Sequence, residues 1–191
     1  MAVETEIKFP SKGFEAVRAR LRCGGVLTEA AVLERNLVFD TPERTLRARN
    51  MLLRLRLRNK VVLCLKTPPN DVRFDDVKRW EETETEVEDI DAMRGILLGL
   101  GFEVAFRYEK IREKWRWGRC TVCLDRLPFG TFVEVEGERD DIFRCARELN
   151  LDIGSGTTST YHDLNQEHRK ARGLPAGDSF VFEDPGSAVL E

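Results

Sequence analysis

The segment "VETEIKF" at residues 3–9 places three charged side chains at every second position. Alternate residues of a β-strand point to the same face of its sheet, so Glu4, Glu6 and Lys8 should project together. Two carboxylates can bind a hard divalent cation, and an ammonium group can bind phosphate oxygens. For one strand considered alone, a solvated outer face is the more ordinary explanation of this pattern.

The same alternation recurs along most of the other candidate strands, as in "LRLRLR" at residues 53–58 and "VEVE" at 133–136. The charged residues that would share one face are Glu4, Glu6 and Lys8; Arg54, Arg56 and Arg58; Lys66; Glu82, Glu84 and Glu86; Lys110, Arg112 and Lys114; Arg119 and Asp125; and Glu134 and Glu136. Repetition on nearly every strand also fits a sheet that closes around a polar interior.

Two arrangements of such a sheet are open. With the charges outside, the apolar faces would fill an ordinary barrel core. With the charges inside, the lumen would be a polar tunnel with an apolar outer wall. The helices are the feature that separates the two, because "AVRARL", "MRGILLGLG" and "FRCAREL" each need an apolar surface to cover, which the outer wall of a tunnel supplies.

A lumen with clustered carboxylates and clustered basic groups is costly unless the charges are paired or engaged by a ligand. A polyanion bound together with a divalent metal satisfies both groups. The oxygen ligands available to Mg²⁺ or Mn²⁺ are Glu4, Glu6, Asp125, Glu134 and Glu136. The chain has no GxxxxGK loop, so side chains of arginine and lysine would have to hold the phosphate.

Hydrophobic spacing divides the chain into strands and a few helices. Strands are predicted at residues 3–9, 35–40, 52–58, 61–67, 80–89, 103–117, 119–127 and 131–138. Helices are predicted at 13–21, 90–101, 140–149 and 159–173, with a turn-rich segment at 41–50 and a loop at 70–76. The helix at 90–101 is expected to bury one apolar face formed by Ile90, Met93, Ile96, Leu97 and Leu100. Short turns between strands favour antiparallel pairing, so the pattern predicts an α+β fold whose strands close into a barrel.

The composition limits the domain count and the classes of partner. A chain of 191 residues with 41% hydrophobic side chains can bury one good core, and we assign residues 1–173 to one domain and 174–191 to a C-terminal extension. The 31 basic residues nearly balance the 34 acidic ones, so no nucleic-acid partner is predicted. No apolar run is long enough to cross a bilayer and the first residues do not resemble a signal peptide, so we expect a cytoplasmic protein.

Cysteines and histidines suggest no competing chemistry. The five cysteines are scattered and are expected to be reduced thiols. Cys120 and Cys123 form a CxxC, but residues three apart on a strand point to opposite faces, which disfavours a zinc or redox site. His162 and His168 are the only histidines and are expected at the surface. Packing is the expected role of the aromatic residues Trp80, Phe106, Tyr108 and Trp115.

In their order along the chain, these segments resemble the motifs of the CYTH domain of the triphosphate tunnel metalloenzymes. The resemblance rests on "ETEIK", "LRLR", "LKT", "KIR", "LD", "GTFVEVEGE" and "STYHDL" and runs from about residue 3 to 165. It implies an eight-stranded antiparallel β-barrel tunnel with a polar lumen, covered by helices outside, that binds a triphosphate with a divalent metal. Members of this family include inorganic, thiamine and RNA triphosphatases and class IV adenylyl cyclases.

The resemblance also implies roles for individual residues. Metal would be held by Glu4, Glu6, Glu134 and Glu136, with Asp125 nearby. The triphosphate would be bound by Lys8, Arg54, Arg56, Lys66, Lys110 and Arg112, with Glu84 beside them. Catalysis would depend most directly on Glu4, Glu6 and Lys8.

The motifs are typical of triphosphate and metal binding rather than of cyclisation, so a triphosphatase that uses Mg²⁺ or Mn²⁺ is the preferred prediction. The first alternative is a class IV adenylyl cyclase that converts ATP to cyclic AMP and pyrophosphate. The second is a non-catalytic module that binds polyphosphate. The identity of the small-molecule triphosphate, the preferred metal and the choice between monomer and homodimer are left open.

Overall fold

The structure of the chain, a computed structural model, describes residues 2–69 and 76–184. In this part of the chain the strands are β1 Ala2–Ser11, β2 Val26–Asp40, β3 Leu52–Leu57, β4 Val61–Thr67, β5 Lys78–Val87, β6 Glu103–Trp117, β7 Cys120–Leu127 and β8 Gly130–Glu136. Its α-helices are α1 Glu15–Gly24, α2 Thr45–Ala48, α3 Ile90–Gly99, α4 Arg139–Glu148 and α5 Tyr161–Ala171. The predicted loop at 70–76, apart from Asp76, and residues 185–191 of the predicted extension lie outside the described residues.

The eight described strands close into one ring in the order β1-β5-β4-β3-β2-β6-β7-β8, and β8 pairs back with β1. All of these pairs are antiparallel. The β6–β7 hairpin turns on two residues, and Gly118 adopts a φ of 57°, a left-handed conformation that glycine accepts without a steric penalty. The predicted α+β class and eight-stranded antiparallel barrel are confirmed.

Apolar residues of the strands face outward and are covered by helices. Ile7 of β1 and Val135 of β8 belong to one buried cluster with Ile142 of α4. Elsewhere on the wall, Leu55 of β3 packs in a cluster with Leu97 of α3. Since the apolar faces are outside, the alternating charged faces line the interior, which confirms the polar tunnel.

Strand β2 is longer than the sequence predicted, because it begins at Val26 rather than at residue 35. It pairs with β6 along most of its length, with irregular register between Leu27 and Glu29 and between Glu29 and Val32. Such irregularities interrupt the alternation of faces, so the first half of β2 has no clear period of two. The backbone of the long strand β6 nevertheless supplies hydrogen bonds for this segment.

The outer helices bury narrower stripes than predicted. In α3, Leu97 is buried, but Ile96 is 55% exposed and Leu100, directly after the helix, is 69% exposed. The prediction of a continuous five-residue apolar face is therefore wrong for these two residues, because the barrel wall covers only the side of the helix that carries Leu97. Among the described residues, no helix combines the length and the apolar character needed to cross a membrane.

Candidate functional site

A cavity of about 540 Å³ occupies the interior of the ring. All predicted site residues except Asp125 line it, and together they are called the charged middle of the tunnel: Glu4, Glu6, Lys8, Arg54, Arg56, Lys66, Glu84, Lys110, Arg112, Glu134 and Glu136. They come from six different strands, and each reaches the lumen because it occupies a matching position in the two-residue period of its strand. The ring closure therefore assembles residues that are up to 132 positions apart (from 4 to 136).

Three carboxylates of the charged middle form a group that can hold a metal ion. Oxygens of Glu4, Glu6 and Glu136 lie within 4.8 Å of one another. Burial and the nearby charge of Glu134 raise the pKa of Glu136, although Arg112 opposes the rise. The raised pKa means that burial and Glu134 disfavour the charged form of Glu136, and a bound cation would offset this by stabilising the carboxylate. Three clustered oxygen ligands of this kind fit a divalent cation such as Mg²⁺ or Mn²⁺.

Glu134 differs from Glu4 and Glu6, which pair with one base each, because it is paired with two bases at once. Its carboxylate accepts a hydrogen bond from Arg112 at 2.5 Å and lies 3.2 Å from the Lys8 ammonium. Burial alone would raise the pKa of Glu134, but Arg112, Lys8 and Lys110 hold it well below its usual range. Glu134 also lies close to Glu136 and the Cys123 thiol. Glu134 therefore lies between the three clustered carboxylates and the basic residues.

Lys8 joins the two acidic strands from inside the tunnel. Its ammonium group pairs with Glu6 on the same strand and with Glu134 on β8. Burial would lower the pKa of Lys8, but the two carboxylates raise it above its ordinary value. Lys8 is thus a permanently charged group next to the carboxylates, as a phosphate-binding residue must be.

On the facing strands, the arginines that were predicted to bind phosphate are paired with carboxylates. Arg56 lies 2.9 Å from Glu84, and Arg54 lies 3.7 Å from Glu82. Arg54 also donates a 2.6 Å hydrogen bond to the hydroxyl of Tyr108. These are loose or partly exposed pairs, which an anionic ligand can replace at lower cost than a tight buried pair.

Asp125 lies behind the charged middle rather than on the cavity surface. It is 0% exposed and accepts hydrogen bonds from Arg112 Nε at 2.6 Å, from Lys110 at 3.3 Å and from the Tyr161 hydroxyl at 2.7 Å. Burial raises the pKa of Tyr161, and the charge of Asp125 raises it further, so the hydroxyl keeps its proton and donates it. Among the described residues, Asp125 belongs to none of the groups able to hold a metal. Its observed contacts orient Arg112.

Lys78 and Glu34 are charged residues beside the charged middle that the sequence analysis did not identify. Lys78 lines the cavity, where burial and the charge of Lys8 lower its pKa to about 8. It continues the alternation of β5 two residues before Trp80, a signal that could have identified it. Glu34 is buried 3.8 Å from Lys110; burial would raise its pKa, but Lys110 and the arginines lower it. Glu34 lies in the stretch of β2 with regular register, one residue before the predicted start of the strand, so its alternation with Asn36 is a signal that could have identified it.

Aromatic rings cluster at one end of the tunnel, where β6 and β8 begin. This aromatic end consists of Phe106, Tyr108, Phe129, Phe132, Tyr161 and Phe180. Phe132 shares the inner face of β8 with Glu134, and its ring packs on that of Tyr161 with centroids 5.4 Å apart. His162, expected at the surface, is half-buried at this end and packs on Phe106 at 4.8 Å.

The aromatic residues that were expected to pack divide between the two sides of the wall. Trp80, Phe106 and Tyr108 line the cavity, whereas Trp115 is buried in the outer cluster beneath the helices. The simple packing role is therefore observed for Trp115. The other rings also form part of the surface that a ligand would meet.

The two cysteines of the CxxC lie on opposite sides of the wall, as predicted. Cys120 is buried in the outer apolar cluster, whereas Cys123 faces the tunnel and lies 3.6 Å from a Glu136 oxygen. All five cysteines are free thiols. Burial raises the pKa of the Cys123 thiol well above its usual range, so it is uncharged at neutral pH.

Comparisons with known proteins agree with this architecture. The model of the CYTH domain family matches residues 2–160. A Vibrio parahaemolyticus protein described as a candidate adenylate cyclase is 22% identical with a TM-score of 0.75, over 85% of this chain and 97% of its own. PH1819 from Pyrococcus horikoshii OT3 is 25% identical with a TM-score of 0.71, over 87% of this chain and 99% of its own.

A plant protein also has this fold. HpAC1 from Hippeastrum, a candidate adenylyl cyclase described as having a dominant triphosphatase activity, is 20% identical with a TM-score of 0.53, over 100% of this chain and 95% of its own. At these identities the structural likenesses establish the tunnel fold alone. No curated protein sequence matches the chain significantly.

Proposed function

Because the chain belongs to the CYTH domain family, we propose that it is a divalent-metal-dependent hydrolase of triphosphate-containing substrates that acts inside the tunnel. One observation carries the proposal: the carboxylate group of Glu4, Glu6 and Glu136 lies beside a set of buried bases in the same cavity. Carboxylates without bases would suit a metal alone, and bases without carboxylates would suit an anion alone. The combination suits an anion that binds together with its metal.

Glu4, Glu6 and Glu136 would hold the metal, with Glu134 beside them. A bound Mg²⁺ or Mn²⁺ supplies positive charge that neutralises phosphate oxygens and stabilises the charge developing on the leaving group. Asp125 is a weaker candidate for a ligand, because its oxygens are occupied by Arg112, Lys110 and Tyr161.

The bases would hold the phosphate chain. Arg54, Arg56 and Lys66 project from β3 and β4, and Lys8, Lys110 and Arg112 project from β1 and β6. Substrate would displace carboxylates such as Glu84 from these bases, so the present ion pairs preserve the orientation of each cation between binding events. Cations held in place before the reaction stabilise transition-state charge without reorganising.

Glu6 is suited to orient the attacking water. It is buried, it is one of the three clustered carboxylates, and it contacts the ammonium of Lys8. Burial and Glu134 would raise the pKa of Glu6, but Lys8, Lys66 and Lys78 lower it, so its carboxylate is ionised and can accept a hydrogen bond from water. Lys8 would hold the adjacent phosphate oxygen, which aligns the two reactants.

An adenylyl cyclase of class IV is the second candidate, and the aromatic end favours it. The cavity continues from the charged middle to Phe106, His162 and Phe180, and aromatic rings can stack on a base. In that reaction a ribose hydroxyl replaces water as the nucleophile and pyrophosphate leaves. A non-catalytic polyphosphate-binding module is disfavoured, because the three clustered carboxylates are all present beside the bases.

The deciding experiment supplies purified protein with tripolyphosphate, thiamine triphosphate or ATP, each with Mg²⁺ or Mn²⁺, and measures phosphate, pyrophosphate and cyclic AMP. We expect phosphate release, mainly from tripolyphosphate, that stops when EDTA is added. Cyclic AMP together with pyrophosphate from ATP would replace the hydrolase by the cyclase. Tight binding of tripolyphosphate without any product would instead indicate the binding module. A Glu136→Gln protein prepared in parallel controls for contaminating phosphatases.

A further inference from the structure

The chain beyond the CYTH match returns to the tunnel and completes its wall. Strand β7 pairs with β6 only from Ile111 onward, so none of the eight described strands pairs with the β6 backbone before that residue on this side. Residues 179–180 occupy the gap: Phe180 N donates to the Arg107 carbonyl at 3.0 Å, and Glu109 N donates to the Phe180 carbonyl at 2.9 Å. Arg107 N also donates to Ser179 Oγ at 3.1 Å. This segment therefore takes the place of a wall strand.

Helix α5 holds the same segment from its other side. Gln166 donates a 2.9 Å hydrogen bond to the Gly177 carbonyl, and Arg169 Nε donates a 2.8 Å hydrogen bond to the Pro175 carbonyl. With anchors before and at Phe180, the segment has little freedom to place that side chain elsewhere. The position of the Phe180 ring is therefore set by two elements of the barrel.

The ring of Phe180 lies directly behind a residue that contacts a predicted phosphate-binding arginine. Phe180 is 5% exposed, and its ring stacks on Tyr108 with centroids 5.2 Å apart. The Tyr108 hydroxyl accepts the 2.6 Å hydrogen bond from Arg54. Phe106 lies near Tyr108 at 6.2 Å. Tyr108 thus contacts two other rings, and the closer one comes from the C-terminal segment.

Arg54 depends on Tyr108 for its orientation. The nearest carboxylate, Glu82, is 3.7 Å away, and the buried Arg54 Nε has no hydrogen-bond partner among the described residues. A guanidinium held at one corner leaves its remaining N–H groups available to a ligand oxygen. If Tyr108 moved, Arg54 would lose its only short hydrogen bond in the described part of the chain.

We propose that Phe180 is a positioning residue for triphosphate binding: its ring holds Tyr108 so that the hydroxyl of Tyr108 aims Arg54 into the tunnel. This inference rests on the proposed function. It extends the working site to a residue outside the family match, which ends at residue 160. Removal of the Phe180 ring would leave space beside Tyr108, and Arg54 would then sample several orientations.

The kinetic test compares Phe180→Ala with Val181→Ala, a matched control because Val181 is the next residue and is 46% exposed. With tripolyphosphate and Mg²⁺, Phe180→Ala should raise KM about tenfold, the usual effect of one hydrogen bond to a charged group. The kcat should stay within about twofold of the wild-type value, because the clustered carboxylates of Glu4, Glu6 and Glu136 are unchanged. Val181→Ala should match the wild-type protein.

A double-mutant cycle tests whether the effect passes through Tyr108. Tyr108→Phe removes the hydroxyl and should raise KM on its own. Phe180→Ala should add little in the Tyr108→Phe background, because Arg54 no longer has a hydroxyl to lose. Fully additive effects on KM would overturn the proposed relay, as would a Phe180→Ala protein with wild-type KM.

A structural readout separates this inference from the proposed function. The chain has two tyrosines, so 3-fluorotyrosine labelling should give two fluorine NMR resonances, which Tyr161→Phe would assign. Phe180→Ala should shift the Tyr108 resonance, and so should the milder Phe180→Leu, which keeps most of the apolar volume should the alanine variant not fold. If wild-type protein hydrolyses no triphosphate, the proposed function fails, whereas an unchanged Tyr108 resonance in Phe180→Leu overturns the role of Phe180.

Discussion

The charged middle and the aromatic end of the tunnel are built in opposite ways. The charged middle takes its residues entirely from strands, at alternating positions such as Glu4 and Glu6, and every base in it lies close to a carboxylate. The aromatic end combines strand residues with Phe129 from a turn, Tyr161 from α5 and Phe180 from the C-terminal segment. One region follows from the pleat of the sheet, and the other from where three separate segments meet.

The difference teaches which part of the tunnel can vary independently. Moving one charged residue of the middle by one position along its strand would send the side chain to the outer wall. Residues of the aromatic end come from elements whose positions depend on packing, so this end can change while the middle is kept. We therefore expect the middle to govern chemistry and the aromatic end to govern orientation and the group attached to the triphosphate.

The largest effect on activity is expected from substitutions of the clustered carboxylates Glu4, Glu6 and Glu136. Glu4→Gln or Glu136→Gln removes one charged oxygen ligand, and either should lower kcat more than about 100-fold in the presence of Mg²⁺. Glu86→Gln is the matched control, because Glu86 continues the alternation of β5 but is exposed and pairs with Lys60. Unchanged melting temperatures would show that the fold is retained. Full activity in both Glu4→Gln and Glu136→Gln would refute the metal site.

The next effect concerns Asp125, which lies where the two regions meet. Asp125→Asn removes the charge of one of the two buried carboxylates that pair with Arg112, so the free energy of unfolding should fall by about 3 kcal/mol. Urea unfolding measures this change, and calorimetric titration measures Mg²⁺ affinity. If Asp125 only anchors Arg112, Asp125→Asn should lower the stability and change the Mg²⁺ affinity little. A large loss of metal affinity at unchanged stability would instead make Asp125 a ligand.

A smaller effect is expected at the half-exposed rim of the middle. Arg56 pairs with Glu84 at 2.9 Å and is available to a phosphate oxygen. Arg56→Ala should raise the KM for tripolyphosphate about tenfold and change kcat much less. Arg58→Ala serves as the control, because Arg58 lies two residues further along the chain and pairs with Glu29. Equal KM values for both variants would remove Arg56 from the phosphate site.

The smallest effect is a dependence on pH. Burial and Lys8 lower the pKa of Lys78 to about 8 from its ordinary value of 10.5, so Lys78 loses its charge as the pH rises through about 8. Triphosphate binding should then weaken by a few-fold between pH 7 and pH 9.5, whereas Lys78→Arg stays charged and should show less weakening. The ratio of KM values at the two pH values, compared between the proteins, measures this. Equal ratios would contradict a charged role for Lys78.

Stability should change in the opposite direction over the same pH range. Between about 8 and 10.5 the folded protein holds Lys78 neutral while the unfolded chain still binds its proton. The unfolded state therefore binds more protons, and the contribution of Lys78 to the free energy of unfolding rises with pH. Comparing urea unfolding of wild-type and Lys78→Arg proteins at pH 7.5 and 10 isolates this contribution.

Much of the fold followed from local pattern. Strands with a clean period of two, such as β1 and β8, were predicted within a few residues, because alternation and burial agree along them. The first half of β2 was missed, since its irregular register against β6 removes the alternation. The exposure of Ile96 was also not predictable, because a helical spacing of apolar residues does not say how wide the surface beneath the helix is.

The candidate site divides in the same way. Eleven of the twelve residues predicted for the site line the cavity, because each lies on a regular strand whose charged face turns inward. The sequence could not show that Asp125 is occupied by Arg112 and Tyr161, since these residues come from different elements. His162 and Phe180 were not recognised for a similar reason: their places depend on how α5 and the C-terminal segment pack.

By itself, the sequence determined the strands, the face on which each charge lies and the family to which those motifs belong, because the two-residue period of a strand is a local property. Only the tertiary structure decided that the charged faces turn inward, which carboxylates lie within reach of one metal and which are already bound by arginine. It also decided that Phe180 reaches Tyr108 and, through it, Arg54. These outcomes depend on ring closure and packing, which bring together side chains that no local spacing relates.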